Sequence, residues 1–161
     1  MPEAALNSIE VSVIIPVYNA ASYVRQAVES ALMQPEVQEV LLVEDGSPDN
    51  ALEICQQLAK EYEQVVLLRH PNGENRGAGA SRNLGMRHAT SPILAFLDAD
   101  DYYLPGRFKL DAKIYAENPL CEGVYHAVSM HIENPEGFER WNSAGKAPDQ
   151  IQTVTAEIPS E

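Results

Sequence analysis

The sequence predicts an α/β fold in which a mainly parallel sheet carries helices on both faces. Apolar, β-branched segments typical of strands alternate along the chain with segments whose apolar residues recur at helical spacing. The order β-α-β-α-β-α-β requires crossover connections, which favour parallel strands. Polar clusters follow several of the predicted strands. In such sheets ligands bind beyond the carboxyl ends of the strands, so these clusters are candidates for a binding site.

The first predicted strand is Val11–Val17, a continuous apolar segment typical of a strand that is buried on both faces. Pro16 has no backbone donor, so we expect the strand to end there and the chain to turn at Tyr18 and Asn19. The later predicted strands are Val40–Val43, Val65–Leu68, Ile93–Leu97 and, with alternating character, Val124–Ile132.

Four helices are predicted between these strands. Asn19 is expected to cap the first helix and Asp49 the second, because short polar side chains accept hydrogen bonds from the first free amides of a helix. Pro105 suits the first turn of the last helix. The apolar residues of the first helix run from Val24 to Leu32 and those of the second from Leu52 to Tyr62; the third helix covers about Ala78–His88, and the last ends near Glu117.

Composition excludes some classes of partner. The chain has 161 residues and a net charge of −13, which disfavours nucleic acid and anionic membranes because both need a basic surface. No apolar segment approaches the length of a membrane span, and the first ten residues do not resemble a signal peptide. We expect a cytoplasmic protein with one domain at residues 1–132, followed by an irregular tail or lid at 133–161 that is part of a truncated acceptor region.

Three carboxylates follow the strand Ile93–Leu97. These are Asp98, Asp100 and Asp101. If the backbone is extended there, Asp98 and Asp100 can approach one point in space. Two carboxylates and a few waters suit Mg²⁺ or Mn²⁺, and such a cation can bridge a diphosphate.

Four ordered motifs resemble the nucleotide-binding half of the family 2 glycosyltransferases, which are inverting enzymes of the GT-A fold. Alone, each motif is weak evidence, since a sequence such as Asp45-Gly46-Ser47 is more often a simple turn. Together and in this order they are specific. The strings are VSVIIPVYN at Val11–Asn19, VEDGSPDN at Val43–Asn50, NRGAGASRNLG at Asn75–Gly85 and FLDADD at Phe96–Asp101, all within residues 11–105.

The resemblance implies a nucleobase site after the first two strands. Tyr18 would lie against the base, and Pro16 and Asn19 would shape the turn beside it. Asp45 would accept a hydrogen bond from a base N–H, which favours uracil. Glu44 stands where the family more often has aspartate, and it would belong to the same nucleotide-sugar site.

The resemblance also implies a diphosphate and metal site. Arg82 would approach the base or the diphosphate. Asp98 would contact the ribose or the metal, and Asp100 would bind the metal, with Ala99 between them in the same donor-binding motif. The implied cofactor is Mn²⁺ or Mg²⁺, held by Asp98 and Asp100.

The implied reaction is transfer of a sugar, with inversion, from a nucleotide-sugar donor to an acceptor hydroxyl, with a UDP-sugar favoured. The acceptor would be a glycan, lipid or polysaccharide, in the synthesis of a polysaccharide, a glycolipid or a cell-surface glycan. In the family the general base is an aspartate well downstream of the metal motif. Asp149 is the only aspartate near the C-terminus and its surroundings do not match, so no base is assigned.

Two alternatives remain beside the enzyme. A non-catalytic or truncated nucleotide-sugar-binding module would have the same motifs and lack the base. A nucleotidyltransferase would need a glycine- and lysine-bearing loop after the first strand, and Pro16–Asn19 is unlike one. A sheet edge left exposed in such a chain would also favour self-association into a homodimer.

Overall fold

The computed structural model describes residues 9–126. Strands and helices alternate along this part of the chain. They are β1 (Val11–Val17), α1 (Val24–Leu32), β2 (Val37–Glu44), α2 (Ala51–Glu61), β3 (Val65–Arg69), a 3₁₀ turn (Pro71–Gly73), α3 (Ala78–His88), β4 (Ile93–Phe96) and α4 (Lys109–Glu117). Among these residues, no helix has both the length and the apolar composition needed to cross a membrane.

The four described strands form one sheet in the order β3-β2-β1-β4, and every pair is parallel. Strand β1 lies between β2 and β4, and all its residues except Pro16 are buried. The predicted α/β class and the parallel sheet are therefore confirmed. This strand order places the carboxyl ends of β1, β2 and β4 side by side.

Helices cover both faces of the sheet. The side chains of Val13 and Ile15 pack on one face against apolar residues of α1 and α2, while Ile14 points to the other face and packs near Leu84 of α3. Because successive residues of a strand point to opposite faces, an uninterrupted apolar strand needs cover on both.

Helix α3 lies unusually close to β1 at Gly85. A Cβ atom added to Gly85 would lie 2.5 Å from Cγ2 of Ile14, which is fully buried. Glycine at this position therefore lets the helix reach the sheet, although glycine inside a helix lowers its intrinsic stability.

Two of the predicted helix starts are wrong. Asn19 does not cap α1: it adopts a left-handed conformation (φ 53°), and the chain makes a turn at Ala20, whose carbonyl oxygen accepts hydrogen bonds from the amides of Tyr23 and Val24. Helix α4 begins at Lys109 rather than at Pro105, because Gly106 adopts a positive φ of 74° that interrupts helical geometry.

Asp49 lies one residue before the N-cap of α2, which is Asn50, so the predicted cap position is wrong by one residue although the Asp49 carboxylate still bonds the first helical amide. Its Oδ1 accepts a hydrogen bond from the Ala51 amide at the start of α2. Its Oδ2 accepts a second one from the Ala21 amide, at 2.9 Å, which ties the start of α2 to the loop after β1.

The predicted strand Val124–Ile132 extends beyond the described residues. Residues 124–126 are described and form no strand. Almost all the described residues belong to the first compact unit of the chain, Met1–Gly123. The predicted boundary at residue 132 lies outside the described residues and stays a prediction.

Glu39, near the start of β2, links the sheet to the connection between α3 and β4. Its Oε1 accepts hydrogen bonds from the Ser12 hydroxyl (2.6 Å) and from the amide and hydroxyl of Thr90 (2.6 and 2.7 Å). Burial alone would raise the pKa of Glu39, but these hydrogen bonds and one from the Ser91 amide outweigh it and lower the pKa.

Gly85→Ala is expected to destabilise the protein by about 1–3 kcal/mol, because the added methyl group collides with Ile14 in a packed core. Gly79→Ala on the same helix is the matched control, since a Cβ there meets nothing within 4 Å. The control should be neutral or stabilising by up to about 1 kcal/mol. Urea unfolding of both variants measures the difference, and equal stabilities would contradict the close approach.

Glu39→Gln is expected to lower the melting temperature at pH 7, with a smaller loss at acid pH. The native state lowers the pKa of Glu39, so its carboxylate stabilises the fold above the ordinary value of 4.5, and this stabilisation is lost as the pH falls through the native pKa. Glu63→Gln, at an exposed position, is the control. A difference between Glu39→Gln and wild type that stays constant from pH 7 to pH 3 would contradict this role.

Candidate functional site

An open cleft of about 290 Å³ lies at the carboxyl ends of β1, β2 and β4, against the start of α3. Eight of the nine predicted nucleotide-sugar-binding residues line it. These are Pro16, Tyr18, Asn19, Asp45, Arg82, Asp98, Ala99 and Asp100. The remaining one, Glu44, is not among the residues of the cleft wall.

Two tyrosines form part of the wall that follows β1. The Tyr18 side chain is 54% exposed and Tyr23, just before α1, is 44% exposed. The turn between them is tied to the end of β2, because the Asn19 amide donates a hydrogen bond to the Ser47 hydroxyl at 3.3 Å. This wall therefore offers aromatic surface on a turn that is anchored to a second strand.

Asp45 is buried at the back of the cleft and organises the loop before α3. Its Oδ1 accepts a hydrogen bond from the Arg76 amide (2.7 Å) and its Oδ2 one from the Gly77 amide (2.8 Å). Each carboxylate oxygen retains a second lone pair, so this arrangement leaves room for a further donor. Asp45 therefore has a structural role that the sequence did not predict.

His70 lies beside Asp45 and is also buried. Its Nε2 lies 3.0 Å from the Ser81 hydroxyl on α3 and 3.6 Å from Oδ1 of Asp45. The end of β3 is thus connected to both the Asp45 carboxylate and the helix that forms the side of the cleft.

Glu44 points away from the cleft. Its Oε1 accepts a hydrogen bond from the Ser47 amide (2.6 Å), and its Oε2 pairs with Nε of Arg69 (2.7 Å). The side chain is buried, so it stabilises the turn after β2 and joins that turn to β3. In this structure Glu44 shapes the loop behind the site instead of forming its surface.

The acidic segment after β4 forms a turn and does not have the extended backbone that was considered from the sequence. The Asp101 amide donates a hydrogen bond to the Asp98 carbonyl at 3.0 Å. Leu97 and Ala99 are buried while Asp98 and Asp100 are exposed, so both carboxylates still reach the cleft. Burial, together with the nearby charges of Asp100 and Asp98, raises the pKa of Asp101. Three negative charges therefore concentrate at this corner.

Arg82 provides the opposite charge. It projects from α3, and its guanidinium donates a hydrogen bond to Oδ1 of Asp98. Both side chains are partly exposed and both line the cleft. A cation that binds Asp98 would share this carboxylate with Arg82 or displace the guanidinium toward the cleft.

The residues present fit a hard divalent cation. Asp98 and Asp100 offer carboxylate oxygens, which Mg²⁺ and Mn²⁺ prefer, and their exposure leaves room for waters and for ligand oxygens. Residues 9–126 contain no group of three or more potential side-chain ligands that would hold a metal alone. The arrangement matches a cation that is shared with a bound phosphate.

Four further residues line the cleft that were not predicted as site residues. These are Val17, Ala20, Tyr23 and Ala78. Tyr23 offers the most binding surface of the four. The sequence signal for Tyr23 was the presence of a second tyrosine in the loop after a buried strand. The spacing between Tyr18 and Tyr23 does not by itself show that both side chains reach one cleft.

The chain is similar to curated bacterial proteins that are several times longer. It is 32% identical to an uncharacterized glycosyltransferase of Rickettsia conorii over 99% of this chain and 26% of the relative. It is 34% identical to the chondroitin synthase of Pasteurella multocida over 79% of this chain and 13% of that protein. It is 38% identical to the succinoglycan biosynthesis protein ExoU of Rhizobium meliloti over 61% of this chain and 28% of that protein. The chain thus spans about a quarter or less of these relatives.

Solved structures with the GT-A fold resemble it as well. Staphylococcus aureus TarS in complex with UDP superposes with a TM-score of 0.60 at 28% identity, over 69% of this chain and 33% of that one. The mannosyltransferase PcManGT of Pyrobaculum calidifontis, in complex with GDP-Man and Mn²⁺, gives a TM-score of 0.55 at 27% identity, over 65% and 31% of the two chains.

The family model for glycosyl transferase family 2 matches residues 12–147. Apart from Val11, this range contains all four motifs and the parallel sheet, and it includes every residue that lines the cleft. The family model, the fold and the curated relatives agree. The chain therefore belongs to glycosyl transferase family 2.

Proposed function

We propose that this chain is the donor-binding part of a glycosyltransferase and that its cleft binds a nucleotide-sugar together with Mn²⁺ or Mg²⁺. One observation carries the proposal: the cleft combines an exposed tyrosine and a buried carboxylate, Tyr18 and Asp45, with the exposed pair Asp98 and Asp100. A nucleoside diphosphate needs these two kinds of surface, an aromatic and hydrogen-bonding one for the base and a cation-binding one for the phosphates.

A UDP-sugar is the favoured donor. The Tyr18 ring is exposed enough for a base to stack on it, and Asp45 retains lone pairs for the imide N–H of uracil. The structures of TarS with UDP and with UDP-GlcNAc support this choice. The structure of PcManGT with GDP-Man shows that a similar fold also accepts guanine, so the base must be tested.

Asp98 and Asp100 would hold the metal, with Arg82 beside it. When bound, the cation would offset the charge that builds on the diphosphate as the bond to the sugar breaks. Asp98 and Asp100 would hold this ion beside the diphosphate. Arg82, which pairs with Asp98, would offer its guanidinium to the phosphate oxygens.

Transfer would proceed with inversion at the anomeric carbon, with the acceptor hydroxyl attacking opposite the leaving diphosphate. This attack needs a carboxylate base near the acceptor, and residues 9–126 give no ground for assigning one. We propose that the base and the acceptor site lie outside residues 9–126, with residues 133–161 as an irregular tail or lid that is part of the acceptor region. The chondroitin synthase and succinoglycan relatives support a polysaccharide, or a related glycan or lipid-linked glycan, as the acceptor, made on the cytoplasmic side.

A nucleotide-sugar-binding module without transferase activity is the second candidate. It is favoured because the described residues form the proposed donor cleft while no catalytic base is assigned among them. Both candidates predict the same ligand, and they differ only in whether sugar is transferred. Incubation of the chain with UDP-sugar, Mn²⁺ and oligosaccharide acceptors would distinguish them.

Thermal unfolding with nucleotides is expected to show a metal-dependent rise in melting temperature that is largest for UDP. A ligand at about 100 times its dissociation constant adds about 2.7 kcal/mol to stability, which corresponds to a shift of several degrees for a chain of this size. The panel comprises UDP, GDP, dTDP and CDP, each with Mn²⁺, Mg²⁺ or EDTA. No shift with any combination would refute the donor site, and a larger shift with GDP would replace UDP as the donor nucleotide.

Asp100→Ala and Asp45→Asn are expected to weaken UDP binding in different ways. Asp100 is exposed, so its loss should remove the dependence on Mn²⁺ and leave the fold intact. Asp45→Asn should weaken UDP by about tenfold with or without metal, because one carboxylate oxygen becomes a donor that faces the loop amides. Asp101→Asn is the control for charge and should retain the metal dependence.

Calorimetric titrations of UDP in Mn²⁺ and in EDTA measure both effects. Equal affinities of Asp100→Ala and wild type in Mn²⁺ would remove Asp100 from the metal site. For Asp45→Asn, an unchanged affinity for UDP would leave the carboxylate with only its role in the loop.

A further inference from the structure

The turn that carries Asp98 and Asp100 extends from the end of β4 toward the cleft. Its own backbone contributes one hydrogen bond, from the Asp101 amide to the Asp98 carbonyl. The carboxylates of Asp98, Asp100 and Asp101 are all exposed. Mutual repulsion of these charges favours a wider turn, which the ion pair of Arg82 with Asp98 and the contacts at the base of the turn oppose.

Tyr103 supplies a contact that closes the base of this turn. Its hydroxyl donates a hydrogen bond to the Phe96 carbonyl at 3.0 Å, across a separation of seven residues. Phe96 is the last residue of β4, so this bond joins the segment leaving the turn to the strand that enters it. Burial raises the pKa of Tyr103 to about 12, so the hydroxyl keeps its proton at neutral pH.

The backbone of Tyr103 is fixed to α1. Its amide donates a hydrogen bond to the Ser30 hydroxyl at 2.9 Å, and that hydroxyl donates in turn to the Ala27 carbonyl at 2.8 Å. Gln34, two residues past the end of α1, accepts a hydrogen bond from the Arg107 amide and donates one to the Leu104 carbonyl. Ser30 and Gln34 are both buried. Helix α1 and the residues just after it therefore hold the segment after the turn at two points.

The Tyr103 ring is also fixed. It packs edge-on against Phe108, with ring centroids 5.5 Å apart and planes at 80°, and the Arg107 guanidinium lies over both rings. The ring therefore has one orientation, which directs its hydroxyl at β4. Helix α1 also begins next to Tyr23 in the cleft wall, so it connects the wall that follows β1 to the acidic turn.

We propose that Tyr103, held by Ser30, is a positioning residue of the metal site. Its hydroxyl and its amide fix both ends of the turn, so that Asp98 and Asp100 present their carboxylates to one cation. This inference rests on the proposed function of the cleft as a metal-dependent nucleotide-sugar site. Tyr103 does not line the cleft, so it would contact neither the metal nor the nucleotide.

Tyr103→Phe in the full chain tests the proposal, because it removes the hydroxyl and keeps the ring against Phe108. The dissociation constant of Mn²⁺ in the presence of saturating UDP, measured from the electron paramagnetic resonance signal of free Mn²⁺, is expected to rise about tenfold, as for other residues that orient metal ligands. UDP affinity in EDTA should not change. Ser30→Ala, which removes the acceptor of the Tyr103 amide, should give the same pattern.

Two controls separate positioning from a general loss of stability. Tyr102→Phe changes the neighbouring exposed tyrosine and should behave as wild type. Glu39→Gln destabilises the sheet near the start of β2 and should leave the affinity for Mn²⁺ unchanged. Hydrogen exchange of the Asp101 amide, followed by NMR, gives a readout that needs no ligand, and it should be faster in Tyr103→Phe than in Glu39→Gln.

Wild-type affinity for Mn²⁺ in Tyr103→Phe would overturn the proposal, as would an equal loss of affinity in Glu39→Gln. If the wild-type chain binds no Mn²⁺ with UDP, the proposed function of the cleft fails. Amide exchange then decides the structural part separately: accelerated exchange at Asp101 supports the fixing of the turn by Tyr103, and unchanged exchange overturns it.

Discussion

The pairing of β1 with parallel neighbours on both sides is the constraint on which the rest of the structure depends. The strand is buried on both faces, so its backbone donors and acceptors need partners within the sheet and its side chains need helices above and below. Parallel pairing then brings the ends of β1, β2 and β4 to one edge. Polar residues that follow these strands meet there although they lie far apart in the sequence.

The end of β2 shows how neighbouring acidic residues acquire different roles. Glu44 and Asp45 are both buried, yet Glu44 turns toward Arg69 and the amide of Ser47, while Asp45 faces the cleft and the amides before α3. Because successive side chains of an extended chain point to opposite sides, two adjacent carboxylates rarely serve one site. The motif made both residues candidates, and only the direction of each side chain separated them.

Long-range hydrogen bonds from side chains in α1 and next to α1 and α2 set the shape of the cleft. Asp49 holds the loop after β1, and Ser30 and Gln34 hold the segment after the acidic turn. These bonds explain why the starts of α1 and α4 differ from the local patterns. A cap is predicted from neighbouring residues, whereas here a turn at Ala20 and the positive φ of Gly106 decide where each helix begins.

The sequence by itself determined the four described strands to within three residues at each end, the bounds of α3 and most of the cleft. Burial periodicity is a local property, and eight of nine predicted residues line the cleft because parallel strands align their ends. Only the tertiary structure decided the position of Glu44, the place of Tyr23 in the wall, and the contact of Tyr103 with β4. Each of these depends on the direction of one side chain and on a partner distant in sequence, and no local pattern of residues encodes either.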